Sequence, residues 1–472
     1  MIKRLSYYLF VCFILGVCFQ AKAEITLPAV FSDNMVLQQK KTNKIWGWCN
    51  PKEKITVNFY HKNYQTISND AGEWALYLSA LPAGVTSNLI VSTSTEKIIC
   101  KNVVLGEVWL CGGQSNMEWK MGGLQNVYAD ELKIASNNQI RFVVADRSIS
   151  TSPKDNITIE KNWSTITPYS IGHCSAVAYW FAKKMQTNLQ VPIGLVISNW
   201  GATGAESWIS QTGLKKFPNY IYTKKKEDTS TNQINKNTPS VLFNAMIAPL
   251  INLSIKGVIW YQGESNTDRP IEYKTLFPSL INDWRSHWKN GDFPFLFVQL
   301  SSYGKITESP CESNWSLVRE AQSKALTLNN TAMAVTIDLD EPDNIHPFKK
   351  KEIGERLANC ALEKVYHLVK NESSGPTIYK HTIQKNKIIL QFNNAKNGLV
   401  IYGTKLTHIA IAANDKKFFW AEATIKHNRI IVQSKNVLNP VAVRYAWSDC
   451  PISANLFNTN GLPASPFRTD SW

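Results

Sequence analysis

The sequence runs to 472 residues, 44% hydrophobic, 18% charged and 11% aromatic. That balance excludes a disordered, collagenous or coiled-coil chain, since such chains are poor in aromatics or dominated by helix formers. The formal net charge of +15 favours acidic partners such as anionic glycans over nucleic acid. The basic residues are spread out, and the one run, Lys224-Lys225-Lys226, sits with Glu227 and Asp228 in a polar stretch without any nucleic-acid motif.

At about 150 residues per domain, the length suggests three units, each able to bury a core. Met1 to Ala23 must be set aside first. A basic start (Lys3, Arg4), an apolar stretch from Tyr7 to Phe19 and Ala21-Lys22-Ala23 before Glu24 form the pattern of a secretory signal peptide cleaved near Ala23. The expected location is therefore secreted or periplasmic, and loss of Lys3, Arg4 and Lys22 leaves a charge of +12. Cys18 follows Val17, which is larger than the residue that normally precedes a lipidated cysteine. No later run of about 18 apolar residues predicts a membrane span. Without Cys12 and Cys18, seven of the nine cysteines remain, an odd number that leaves at least one free thiol beside one or two bridges. They show no CxxC spacing or Cys/His pairing, so no zinc site is expected.

From Glu24 to Lys101, short alternating runs such as Ile55-Thr56-Val57-Asn58-Phe59 and Trp74-Ala75-Leu76-Tyr77-Leu78 lie between turn signals, which predicts a small β-sandwich (residues 24–101). From Asn102 to Asn371, strand-like runs (103–111, 193–198, 257–261, 295–300 and 332–337) alternate with helical patterns (176–185, 241–250 and 350–362). This order predicts an α/β domain (102–371) built on a mainly parallel sheet. After Glu372-Ser373-Ser374-Gly375-Pro376 the period-two texture returns, in 388–392 and 430–432, predicting a C-terminal β-rich region (372–472).

In an open α/β sheet the chemistry collects at the carboxyl ends of the strands, and four of these ends stand out. In the first, a buried strand enters Gly112-Gly113-Gln114-Ser115-Asn116-Met117-Glu118-Trp119, where glycines permit a tight turn that projects Ser115. Alone, this stretch suits a plain turn or helix cap equally well. The second, Asn199-Trp200-Gly201-Ala202-Thr203, offers a glycine N–H that could approach a developing oxyanion, or simply a turn glycine. The third, Trp260-Tyr261-Gln262-Gly263-Glu264-Ser265-Asn266, offers Gln262 or Asn266 as a neutral donor, a contribution of about 10²–10³ in rate elsewhere. Glu264 there reads better as a satisfied carboxylate holding the loop. The fourth, Asp338-Leu339-Asp340-Glu341-Pro342-Asp343-Asn344-Ile345-His346, places a histidine after several carboxylates, so that His346 can serve as base toward Ser115 and then as acid toward the leaving group.

The order Ser, Gly, Gln/Asn, Asp-x-x-His resembles the SGNH hydrolase superfamily and, within it, the sialate O-acetylesterase family of carbohydrate esterases. The resemblance extends from Leu27-Pro28-Ala29-Val30-Phe31-Ser32-Asp33-Asn34-Met35 to Gly461-Leu462-Pro463-Ala464-Ser465-Pro466-Phe467-Arg468. Its most specific stretches are Gly113-Gln114-Ser115-Asn116-Met117-Glu118 and Trp260-Tyr261-Gln262-Gly263-Glu264-Ser265-Asn266.

The resemblance implies a sheet with helices on both faces, Ser115 as nucleophile and His346 as general base. It implies an oxyanion hole made from the N–H groups of Ser115 and Gly201 with a side chain of Gln262 or Asn266. Ala202 stands where relatives often have glycine, so its N–H is the alternative backbone donor. Relatives often place the acid two residues before the histidine, where this chain has Asn344. Asp343, at the superfamily spacing, is then the triad acid, with Asp338, Asp340 or a Ser–His dyad as alternatives. No cofactor is implied. The expected substrates are O-acetylated sialic acids or other acetylated glycans, including xylan and pectin. Trp119, Trp200 and Trp208 are candidates for sugar stacking or for core packing, and Arg319 for holding a sialate carboxylate or for a helix-surface ion pair. Two other readings are a non-catalytic glycan-binding protein and a glycosidase using Glu206 and Glu264.

Overall fold

The computed structural model describes residues 24–220, 234–339, 341–369 and 372–472. The expected leader with Cys12 and Cys18, the Lys224–Lys226 run and Asp340 lie outside the described residues. Six short strands open the fold: β1 (Val36–Gln38), β2 (Asn43–Trp48), β3 (Lys54–Phe59), β4 (Lys62–Ile67), β5 (Glu73–Leu78) and β6 (Thr86–Ser92). In β3, Ile55, Val57 and Phe59 are buried while Thr56 and Asn58 are not, so alternation puts one face on a core. β3 pairs with β4 and β6, and β2 pairs separately with β5.

Strand β7 (Lys97–Gly113) starts antiparallel to β6 and continues into the middle of the main sheet. Every residue from Val103 to Gly113 is buried, because neighbouring strands flank it and both faces are covered. The expected division after residue 101 falls inside this one continuous strand.

The main sheet has the order β13-β12-β11-β7-β10-β8-β9. Its other members are β8 (Asn137–Ala145), β9 (Ile159–Ile166), β10 (Ile193–Asn199), β11 (Gly257–Tyr261), β12 (Phe295–Val298) and β13 (Thr331–Ala334). All neighbours are parallel except β8 and β9. Helices α1 (Ser115–Glu118), α2 (Gln125–Ile134), α3 (Ala176–Leu189), α4 (Pro270–Trp288), α5 (Asn314–Lys324) and α6 (Lys350–Lys364) complete the α/β layer. α3 packs on α6 and α4 on α5. Gly354 permits the first approach, since a Cβ there would stand 2.6 Å from the Val177 carbonyl.

Two expected elements differ. Residues 241–250 form a π-type turn (Phe243–Ile247) and a 3-10 turn (Ala248–Leu250) instead of one helix, because Pro249 has no N–H to continue the ladder. The strand expected over 332–337 stops at Ala334, and the next carbonyl, that of Val335, accepts from Arg356 Nη1 at 2.6 Å.

The C-terminal region holds two four-stranded sheets. One contains Lys387–Asn393 and Arg429–Gln433, the other Ile409–Ala412 and Ala442–Tyr445. Arg319 joins this region to the main domain. Fully buried, it donates to the carbonyls of Leu300, Ser301, Ser448 and Asp449 at 2.7–2.9 Å. It is therefore neither a carboxylate-binding cation nor a helix-surface ion pair, because its donors are committed to backbone oxygens out of reach of solvent.

The seven cysteines of the described residues form no disulfide, and six of them are buried, so the expected bridges are absent there. They pack as small apolar groups, and burial pushes the thiols of Cys111 and Cys174 well up. No helix of the described residues is long and apolar enough to cross a membrane.

Candidate active site

Three strand ends converge because β7 lies between β10 and β11, with Gly113 in register with both Asn199 and Tyr261. Gly113 has φ +138°, and a Cβ there would stand 2.1 Å from the Tyr261 carbonyl. Only glycine allows the chain to leave the sheet at this point and start α1 at Ser115. Gln114 fastens the turn: its N–H donates to the Tyr261 carbonyl at 2.9 Å, and its Oε1 accepts from Ser265 N at 3.2 Å.

The loop after β13 delivers His346 to the same point. His346 Nε2 lies 2.9 Å from Ser115 Oγ, so two residues 231 apart in sequence form one hydrogen-bonded pair. Trp119 stacks on the imidazole, with centroids 5.3 Å apart and planes at 29°. Burial and the nearby Lys350 ammonium hold the imidazole below its ordinary range, so it is neutral near pH 7 and can accept the serine proton.

The carboxylates expected to support His346 are placed otherwise. Asp343 is exposed and makes no hydrogen bond to the imidazole among the described residues. The cause is a tight turn in which Asn344 N donates to the Glu341 carbonyl at 2.9 Å while Asn344 Oδ1 accepts from His346 N at 2.9 Å. Asn344 thus occupies the inner position and Asp343 faces out. Asp338 is held in a fork by Arg356, with two contacts of 2.6 Å.

The expected oxyanion donors are also separated. Gly201 lies against Ser115, where a Cβ would stand 3.2 Å from Ser115 Cβ, but its N–H donates to Glu118 Oε2 at 2.6 Å. Glu118 is in turn ion-paired with Arg147. Gln262 is fully buried, and its amide N–H₂ donates to Asn266 Oδ1 at 2.7 Å and to the Thr203 carbonyl at 3.2 Å. Asn266 Nδ2 donates to Glu206 Oε2 at 2.9 Å. In the structure Gln262 and Asn266 therefore brace the second and third turns against each other instead of presenting donors to Ser115. The first of the helical N–H groups, that of Ser115, has no helical acceptor, and Ala202 N–H has no protein acceptor among the described residues. Ala202 adopts φ +55°, the conformation that glycine would favour there.

Of the remaining candidates, Trp200 is half-buried beside Gly201, with Lys236 Nζ 5.8 Å from its ring centroid. Trp208 is core: fully buried, it donates from Nε1 to Thr203 Oγ1 at 2.9 Å. Glu206 is buried and paired with Arg269 at 2.9 Å, and Glu264 Oε1 accepts from Asn116 Nδ2 at 2.5 Å. Glu206 is thus engaged by a cation, and Glu264 is buried behind the serine turn, where its Oε2 has no hydrogen-bond partner among the described residues.

Sequence reasoning missed Glu118, Arg147, Asn116, Lys236 and Lys350. Asn116 and Glu118 sit in the most specific stretch, next to the serine, which was their one available signal. Lys350 is one of the run Lys349-Lys350-Lys351 and is buried while its two neighbours are exposed, a distinction that only the fold makes.

A mainly parallel sheet with a Ser–His pair where three strand ends meet is the architecture of an SGNH-type hydrolase. The model of the family "Carbohydrate esterase, sialic acid-specific acetylesterase" matches residues 105–363. The sialate O-acetylesterase of Mus musculus is 30% identical, over 93% of this chain and 93% of that protein. The sialate O-acetylesterase of Homo sapiens is 29% identical, over 92% and 91%. A solved carbohydrate acetylesterase from Xanthomonas citri superposes with a TM-score of 0.86 at 35% identity, covering 95% of this chain and all of that one. The chain belongs to the sialic acid-specific acetylesterase family of carbohydrate esterases, and it is a carbohydrate O-acetylesterase.

Proposed function

We propose that this protein is an exported sialate O-acetylesterase working through an acetyl-enzyme on Ser115. The 2.9 Å contact between Ser115 Oγ and His346 Nε2 carries the reading. Ser115 Oγ attacks the acetyl carbonyl carbon as its proton passes to His346 Nε2. The oxyanion is received by Ser115 N–H and, from the second turn, by Ala202 N–H, which has no protein acceptor among the described residues. The bond between acetyl carbon and sugar oxygen then breaks, and His346 returns the proton to the sugar alcohol. Water repeats the sequence on the acetyl-enzyme, releasing acetate. The leader pattern in Met1 to Ala23 supports export, and the three texture zones of the sequence support the division into N-terminal β, hydrolase and C-terminal β units.

The exposure of Asp343 favours a Ser115–His346 dyad. Asp343→Asn is expected to leave kcat within about threefold, where loss of a working triad carboxylate costs roughly 10⁴-fold. A pre-steady-state burst assay on 4-nitrophenyl acetate measures it.

Sialic acid also carries a carboxylate, and Lys236 is the cation suited to it. Its Nζ donates to the Gly201 carbonyl at 2.6 Å, one peptide unit from the contact with Ser115, and it has no carboxylate partner among the described residues. Arg147, Lys120 and Arg269 are all paired with glutamates. Lys236→Met is expected to raise KM for an O-acetylated sialic acid about tenfold, as for loss of one charged hydrogen bond, and to leave KM for neutral acetylated xylose unchanged. Equal KM changes on the two substrates would mean that the preferred sugar is neutral, with an acetylated plant polysaccharide as substrate.

A further inference from the structure

Beneath the Ser115–His346 pair lies a buried polar chain that the reaction as derived does not use. Lys350 Nζ, at the start of α6, donates to Asn116 Oδ1 at 2.5 Å. Asn116 Nδ2 donates to Glu264 Oε1 at 2.5 Å and to the Ile345 carbonyl at 3.0 Å. Asn116 follows the nucleophile directly, and Ile345 directly precedes His346. A single amide therefore ties the serine turn to the histidine loop, and Lys350 and Glu264 fix the orientation of that amide from its two ends. Lys350 and Asn116 are at most 1% exposed, and Glu264 is 8% exposed.

We propose that Lys350 is a positioning residue of this esterase, which through Asn116 holds Ser115 and His346 at reacting distance. This rests on the distances just given. Its charge acts on the same pair. Lys350 faces Glu264 in the turn after β11, Glu341 in the histidine loop, and the rings of Trp119 and Tyr261 at 6.0 and 5.7 Å. His346 faces Lys350, Ser115 and Trp119, while Asp343 of its own loop points to solvent. Burial pushes the Lys350 amine down to about 7, so in the acid range where His346 would gain a proton Lys350 is already charged and opposes it. A cation in this position extends activity toward lower pH, a service that an exposed Asp343 does not counteract.

The inference rests on Ser115 and His346 being the reacting pair; full activity in Ser115→Ala would remove that reading before Lys350 is tested. The experiment is the pH dependence of kcat/KM, with kcat and KM, for the wild-type protein, Lys350→Met and Asn116→Ala, each normalised to active sites by fluorophosphonate titration. Lys350→Met, without either bond or charge, is expected to lower kcat about tenfold with KM within threefold, and to move the acid limb up by about half a pH unit or more. Asn116→Ala is expected to lower kcat similarly while leaving the limb in place, because Lys350 keeps its charge. A purely structural lysine would lower the melting temperature and the number of active sites but change neither kcat per site nor the limb. Folded Lys350→Met with kcat within twofold and an unmoved limb overturns the proposal. Should Lys350→Met not fold, Asn116→Ala with kcat within twofold overturns it alone.

Discussion

Ser115→Ala is expected to lower acetate release from an O-acetylated sialoside by about 10⁴-fold or more in kcat, with folding unchanged. The reason is chemical: in the proposed mechanism the hydroxyl oxygen forms the acetyl-enzyme, and the side chain is half-buried at the end of a glycine turn, where an alanine fits without new contacts. His346→Ala should cost nearly as much, and the double variant little more than either single one, since a proposed nucleophile and base in one hydrogen-bonded pair act as a unit. Acetate release by the purified variants, on matched panels of O-acetylated sialosides and acetylated xylan or pectin, measures this. It also ranks the substrates. Full release by the serine variant would transfer the chemistry to another group.

Gly113→Ala is expected to be the most damaging small substitution at the site, destabilising the protein by about 4 kcal/mol and removing activity with it. Two causes add at one atom. The new Cβ would stand 2.1 Å from the Tyr261 carbonyl, and φ +138° is a conformation that side chains avoid. Neither neighbour can yield, because the same carbonyl accepts from Gln114 N, and the strands on both sides are buried. Urea unfolding of Gly113→Ala beside Gly123→Ala is the measurement. Gly123 has nothing within 4 Å of its added Cβ, so that control should unfold near the wild-type midpoint. Equal midpoints for the two variants would show that the turn after β7 relaxes freely.

The four strand ends were legible in the sequence because each carries residues that a plain sheet does not need. Long apolar runs such as Val103 to Cys111, which mark strands buried on both faces, located the sheet, and glycines marked the turns. The runs 241–250 and 332–337 were read less well. A proline and an arginine from α6 ended or broke them, and apolar content does not register either effect.

The sequence by itself determined the α/β class, the family and the pairing of Ser115 with His346, since these depend on residue types in a fixed order along strands that must be parallel. Tertiary structure alone decided which polar groups are free. Asp343 and Asn344 are adjacent, yet a turn places Asn344 inside and Asp343 in solvent. Gln262 and Asn266 bear suitable donors, but Gln262 spends both amide N–H groups on Thr203 and Asn266, and Asn266 donates to Glu206, partners that only the fold brings to them. Arg319 has the charge a carboxylate needs and is buried on four carbonyls, while Lys236, 35 residues after Gly201, stands at the site. A hydrogen bond depends on which buried group finds a partner, and burial is a property of the whole fold.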